Sequence, residues 1–131
     1  MKIVADLHLH SKYSRAVSQQ MDLPYMAEWA QKKGIDLLGT GDFTHPLWFR
    51  ELEAKLKETS VGIYCLQGNA LQGVKFALTS EISSIYSQGG KLRRIHNLVL
   101  APSLETVRKI NRELTKKGAN LLSDGRPIVG L

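Results

Sequence analysis

Residues 3–42 read IVADLHLHSKYSRAVSQQMDLPYMAEWAQKKGIDLLGTGD, and this stretch decides the fold class. Ile3 to Leu7 is short and apolar, as expected of a buried strand. The polar segment Ser11 to Gln20 that follows has neither strand nor helix periodicity and reads as a loop. Asp22 suits the N-cap of a helix with Pro24 in its first turn. Tyr25, Met26, Trp29 and Ala30 then recur at helical spacing until Gly34, a residue type suited to the left-handed position beyond a helix end. Ile35 to Thr40 is again short and apolar and forms a second expected strand, ending at Gly41-Asp42. A strand, a crossover helix and a second strand favour parallel pairing, hence an α/β architecture.

Further along, Leu47, Trp48, Glu51, Leu52 and Leu56 mark a second amphipathic helix after Pro46, with Lys55 and Lys57 near its C-terminal end, where cations complement the helix dipole. Trp48 reads as a core residue. Val61 to Leu66 and Val74 to Thr79 read as strands across a Gln/Gly/Asn connection, and the second runs into Ser80-Glu81. Ser83 to Lys91, with Gly89-Gly90, reads as a loop, and Ile95 to Ala101 as another strand. Ser103 caps an expected third helix in which Leu104, Val107, Ile110 and Leu114 share one face before Gly118 closes it. There is no internal repeat or low-complexity tract.

The chain has 131 residues, 43% hydrophobic and 23% charged, a normal balance for one globular domain. No apolar run has the length a bilayer requires, and Lys2 is followed by only three apolar residues before Asp6, so the expectation is a cytoplasmic, soluble protein without a membrane partner. The single cysteine, Cys65, rules out an internal disulfide and reads as a buried thiol with no catalytic role. Eighteen Lys and Arg against twelve Asp and Glu leave a formal charge of +6 and an isoelectric point near 9.6. That excess favours polyanionic partners such as nucleic acid or phosphorylated substrates. An ordinary basic surface is the alternative, because the cations are scattered except at Lys91, Arg93 and Arg94.

His8 and His10 straddle Leu9, and in extended backbone side chains two apart face the same way, so both imidazoles can meet one ion. Imidazole is the commonest nitrogen ligand for zinc, manganese or iron, and the C-terminal ends of strands are where parallel α/β folds place their sites. Asp42 is delivered by the glycine-flanked turn Gly39-Thr40-Gly41, followed by Thr44-His45-Pro46. It is either a metal ligand or the N-cap of the helix beginning near Pro46, although His45 is the closer candidate for that cap. Glu81 follows the Val74 to Thr79 strand, and His96 precedes Asn97-Leu98-Val99-Leu100.

In this order, Asp6-Leu7-His8-Leu9-His10-Ser11, Gly39-Thr40-Gly41-Asp42, Thr79-Ser80-Glu81 and His96-Asn97-Leu98-Val99-Leu100 resemble the N-terminal portion of the PHP (polymerase and histidinol phosphatase) family. The text from His10 to Ser18, the Gly-Thr-Gly-Asp turn and Asp124-Gly125-Arg126-Pro127 are most similar to its endonuclease Q subgroup. The resemblance implies the N-terminal portion of a distorted (β/α)7, TIM-like barrel, with residues 1–131 as a partial domain. It implies metal ligation by His8, His10, Asp42, Glu81 and His96, in a centre that holds up to three divalent ions when complete. Many members carry Thr-Asp-His where this chain has Thr40-Gly41-Asp42, so Asp42 stands in for a histidine. The family's later ligands, a histidine and a final Asp-x-His, have no counterpart before Leu131.

The chemistry expected of such a centre is metal-assisted phosphoester hydrolysis, with no side-chain nucleophile. Lys12, Arg15, Arg93 and Arg94 are candidate phosphate-positioning cations, or else ordinary surface charge. The leading expectation is a hydrolase cleaving DNA beside deaminated bases, in DNA repair. Alternatives are a small-molecule phosphomonoesterase of the histidinol-phosphatase type, or a non-catalytic fragment that binds metal or DNA. An unfinished barrel would expose sheet edge and apolar surface and so favour self-association.

Overall fold

Asp22 and Gly34 frame the first helix in the computed structural model, which describes residues 1–68 and 73–130; positions 69–72 of the Gln/Gly/Asn connection and Leu131 lie outside the described residues. Helix α1 (Leu23–Lys33) begins where the Asp22 carboxylate accepts from the Tyr25 amide and ends where Gly34 turns left-handed at φ 69°. Helix α1 links β1 (Ala5–Asp6) to β2 (Leu37–Gly39), and the two strands pair in parallel. The expected crossover unit is therefore present. Strand β1 is shorter than the Ile3 to Leu7 run and is not buried: Ile3 and Val4 are 54% and 48% exposed. Among the described residues β1 pairs only with β2.

Helix α2 (Pro46–Lys55) stops earlier than its apolar pattern suggests. Leu56 turns extended (φ −100°, ψ 142°) and opens β3 (Leu56–Ser60), so Lys57 sits on a strand and not at a helix end. Strand β3 pairs antiparallel with β4 (Ile63–Leu66) around an exposed Val61-Gly62 turn. Helical spacing carried the reading across this boundary because Leu56 is buried in either geometry.

The largest departure lies in β5 (Lys75–Gln88), which runs on through the segment expected to be a loop and pairs antiparallel with β6 (Lys91–Ala101). Gly89 and Gly90, at φ 58° and 74°, form the two-residue turn between them; two consecutive positive φ values are what a type I′ hairpin needs. Helix α3 (Leu104–Lys116) follows, capped by Ser103 as expected. A last strand that the sequence pattern did not suggest, β7 (Ile128–Gly130), pairs in parallel with β5. The sheet is mixed, in the order β1-β2-β5-β4-β3, with β6 and β7 also on β5.

One apolar cluster joins the helices to the sheet, and within it Leu23, Phe43, Trp48, Leu52, Phe76, Leu78 and Val107 are fully buried. Each such side chain contributes roughly 1.5–3 kcal/mol relative to exposure. Cys65 is buried and unpaired. No helix among the described residues is long and apolar enough to cross a membrane.

Candidate metal centre

The parallel register sets the site. Asp6 of β1 lies beside Leu38 of β2, and Gly39 lies beside Ala77 of β5. His8 and His10 therefore leave the end of β1, Asp42 follows the end of β2, and Glu81 stands four residues beyond Ala77, all at the same end of adjacent strands. Ligand atoms of His8, His10 and Glu81 lie within 4.8 Å of one another. The Glu81 carboxylate is the hub. Its Oε2 lies 2.7 Å from His8 Nε2 and 3.0 Å from His10 Nε2, and its Oε1 accepts from His96 Nδ1. Burial opposes ionisation of Glu81, but hydrogen bonds from His8 and His96 outweigh it and hold the carboxyl at about 2, well below its ordinary 4.5.

Asp42 occupies a different place from the other four. It is fully buried, and its Oδ2 accepts from the Ser11 amide at 2.6 Å, the Ser11 hydroxyl at 2.7 Å and the Ser14 hydroxyl at 2.9 Å. Its Oδ1 lies 3.0 Å from His10 Nδ1. Asp42 thus stands behind His10 and outside the group formed by His8, His10 and Glu81. It does not cap α2 either: His45 holds the N-cap position, without a capping side-chain bond.

The turn that presents Asp42 is held from several sides. Gly41 is left-handed at φ 64°, and a Cβ there would meet the Leu9 carbonyl oxygen at 2.2 Å; only glycine lets the turn approach the histidine segment this closely. The Gly41 amide donates to Thr79 Oγ1 at 2.9 Å, and Trp48 Nε1 donates to the Gly41 carbonyl at 2.9 Å. Asp42 itself has φ 51°, a conformation that costs a non-glycine residue on the order of 1–3 kcal/mol.

The expected phosphate-positioning cations separate into groups. Lys12 is tied to Glu51 at 2.9 Å, and Glu51 also accepts from the Tyr13 hydroxyl at 2.8 Å, so Lys12 serves to anchor the loop on α2. Arg15 is 77% exposed and 3.9 Å from Asp124. In the β5–β6 register Arg94 faces Ile85 and shares a face with His96 and Glu81, whereas Arg93 faces Tyr86 on the opposite side. His45 is buried and stacks on Tyr13 with centroids 4.5 Å apart, and burial lowers its pKa.

Arg126, within the Asp124-Gly125-Arg126-Pro127 segment, is a residue that the sequence does not single out as a site candidate. Gly125 packs so tightly that a Cβ would meet Asp42 Oδ2 and Ser14 Oγ at 2.4 Å. The Pro127 carbonyl accepts from the Ser83 amide at 2.9 Å. Arg126 is thereby held between the Asp42 turn and β5, half-buried, with no ion pair among the described residues. His10 is raised above its ordinary 6.5 by the bond to Asp42, and the charge on Arg126 opposes that rise. An arginine in a contiguous Gly-Arg-Pro text carries no periodic signal, so only the fold reveals its position.

No family model matches the chain. It is 29% identical over 126 residues to the uncharacterized protein MJ0043 of Methanocaldococcus jannaschii, spanning 96% of this chain and 13% of that protein. The lesion-specific endonuclease PfuEndoQ of Pyrococcus furiosus superposes with a TM-score of 0.81 at 34% identity, over 98% of this chain and 29% of that one. The chain shares its fold with endonuclease Q. A second endonuclease Q structure, in complex with a 27-mer duplex substrate with an abasic lesion at the active site, superposes with a TM-score of 0.81 at 39% identity over 97% of this chain. The chain spans 29% of that endonuclease Q chain as well.

Proposed function

We propose that this chain forms part of a divalent-metal phosphodiesterase that cleaves DNA at damaged sites. The observation that carries the reading is the convergence of His8, His10 and Glu81, within 4.8 Å, where the chain leaving β1 meets the middle of β5, in a fold shared with part of a lesion-specific endonuclease. The donor set fits a metal. Glu81 is anionic at any physiological pH, and the pairing of His10 Nδ1 with Asp42 turns Nε2 toward the cluster. Two imidazoles and a carboxylate accept zinc, manganese or iron. A divalent cation held there supplies Lewis acidity toward water and a phosphoryl oxygen.

His8, His10 and Glu81 are the ligands proposed from this geometry, and His96 orients Glu81; ligation by His96 itself follows from the motif resemblance. Asp42 fixes the His10 ring. Arg126, whose charge acts on His10, and Arg94, on the face of β6 shared with His96, supply cations for phosphate oxygens. DNA as substrate is supported by the duplex bound to an endonuclease Q neighbour and by the +6 charge. Deaminated bases as the lesion, and residues 1–131 as part of a PHP-type barrel, follow from the motif resemblance.

The test is metal content by elemental mass spectrometry together with nicking of duplexes carrying uracil, hypoxanthine or an abasic site. The intact protein is expected to bind metal and to nick such duplexes, and both properties should vanish in the His8→Ala/His10→Ala variant. Release of inorganic phosphate from small monoesters without any nicking would move the reading to a phosphatase.

A further inference from the structure

The outer half of the β5–β6 hairpin takes no part in the metal cluster. Strand β7 covers one edge of β5 at Ser83–Ile85, and beyond that the ribbon pairs only with itself. Every residue from Ser87 to Leu98 is exposed. The charge of this projection has one sign. No Asp or Glu occurs from Ile82 to Leu104, and Lys91, Arg93 and Arg94 make no ion pair among the described residues. Three cations within four residues repel one another, and nothing in the described fold neutralises them. A two-stranded hairpin is marginal on its own in water, and this one is anchored at its root by the His96–Glu81 bond and by β7.

The register assigns the cations to faces. Ser83/His96, Ile85/Arg94 and Ser87/Leu92 lie on the side of Glu81, whereas Ser84/Ile95, Tyr86/Arg93 and Gln88/Lys91 lie on the other. Arg94 is two residues outward from His96, about 6.6 Å along the strand, which is roughly two nucleotides of B-form rise. A strand with one phosphate at His8, His10 and Glu81 that ran outward along the ribbon would meet Arg94 next. Lys91 and Arg93 lie on the opposite face of the ribbon, so the three cations do not converge on one small anion. They suit a polymer whose charges repeat, and a two-stranded ribbon is of a size that enters a nucleic-acid groove.

We propose that the β5–β6 hairpin is an arm that grips the DNA backbone beside the metal cluster, Arg94 holding the strand at the site and Lys91 and Arg93 holding phosphates farther out. The proposal rests on the reading of the cluster as a DNA-cleaving site and adds the element that grips the substrate.

The experiment is fluorescence anisotropy of a labelled DNA duplex with the intact protein across a range of salt concentrations. The Lys91→Ala/Arg93→Ala/Arg94→Ala variant is compared with an equally discharged control on α3 and its C-cap, Lys109→Ala/Arg112→Ala/Lys117→Ala. Each lost phosphate contact lowers the steepness of log affinity against log salt by about 0.9. The hairpin variant should therefore lose roughly 2–3 from the slope and bind about 100-fold more weakly near physiological salt. The control should keep the wild-type slope, and Arg93→Lys/Arg94→Lys should restore most of it. Wild-type binding that the hairpin variant leaves unchanged, or that both triple variants weaken alike, overturns the arm while leaving the DNA reading standing. A wild-type protein without salt-dependent DNA binding overturns both.

Discussion

His10 Nδ1 lies 3.0 Å from Asp42 Oδ1, while three protein donors converge on Asp42 Oδ2. The Oδ2 position must therefore be an oxygen. In Asp42→Asn the amide nitrogen falls opposite His10 Nδ1, which must then accept, and the ring proton moves to Nε2. An Nε2 carrying a proton is not a ligand. Metal affinity is expected to fall 10–100-fold, the usual consequence of losing such an outer carboxylate, with the far-ultraviolet circular dichroism unchanged. Nitrogen-15 NMR of the metal-free variant should show His10 in the opposite tautomer. An unchanged tautomer and unchanged metal affinity would refute the orienting role.

The histidine–carboxylate cluster also gives the metal-free protein a defined pH profile. Glu81 is held at about 2 against an ordinary 4.5, so its stabilisation is present above about pH 4.5 and is lost as pH falls toward 2. His10 is raised above 6.5 by Asp42, so its stabilisation is present below pH 6.5 and is lost as pH rises through the folded-state value. The thermal midpoint of the metal-free protein is expected to peak between these limits, and Glu81→Gln should flatten the acid side. Metal reverses the alkaline limb, because ligating histidines must be neutral. Thermal scans with and without added zinc test both signs.

Much of this arrangement was legible in the chain itself, because strand-end histidines, a glycine-flanked aspartate and caps at Asp22, Gly34 and Ser103 are local signals. His8 and His10 were readable from type and spacing, whereas Glu81 and His96 entered through the motif resemblance; the structure brings the four side chains together. What the text could not show was decided by pairing at a distance. Ser83 to Lys91 is polar enough to read as a loop, yet it is strand because β6 and β7 satisfy its backbone. The place of Asp42 behind His10 depends on Ser11, Ser14 and Gly125, which no spacing rule connects. Lys12 looked free until α2 brought Glu51 beside it.

Trp48 links core packing to the site. Its ring is fully buried, and its Nε1 donates to the carbonyls of Gly41 at 2.9 Å and Thr40 at 3.3 Å. Trp48→Phe keeps an aromatic ring but leaves those carbonyls without their donor, which should cost about 1–3 kcal/mol in urea unfolding. Trp48→Ala adds a cavity and should cost about 3–5 kcal/mol. Because the lost bonds hold the turn that presents Asp42, Trp48→Phe should also weaken metal binding, although the tryptophan is no part of the donor set. Calorimetric titration with zinc on the folded variant distinguishes this from a purely structural loss.

Arg126 supplies the last test. The chain on either side of it is fixed, with Gly125 against Asp42 and Ser14 and the Pro127 carbonyl on Ser83, and the residue is half-buried. Among the described residues it makes no ion pair, and its charge opposes protonation of His10. Removing that charge in Arg126→Gln should let His10 titrate at higher pH in the metal-free protein, while Arg126→Lys should stay near wild type. If the cation also binds phosphate oxygens, Arg126→Gln should raise KM for a lesion-bearing duplex more than it lowers kcat, and Arg126→Lys should recover only part of the loss, because an ammonium lacks the bidentate fork. A His10 titration indifferent to both substitutions would mean that the guanidinium is turned away from the cluster, and the phosphate role would then fall to Arg94.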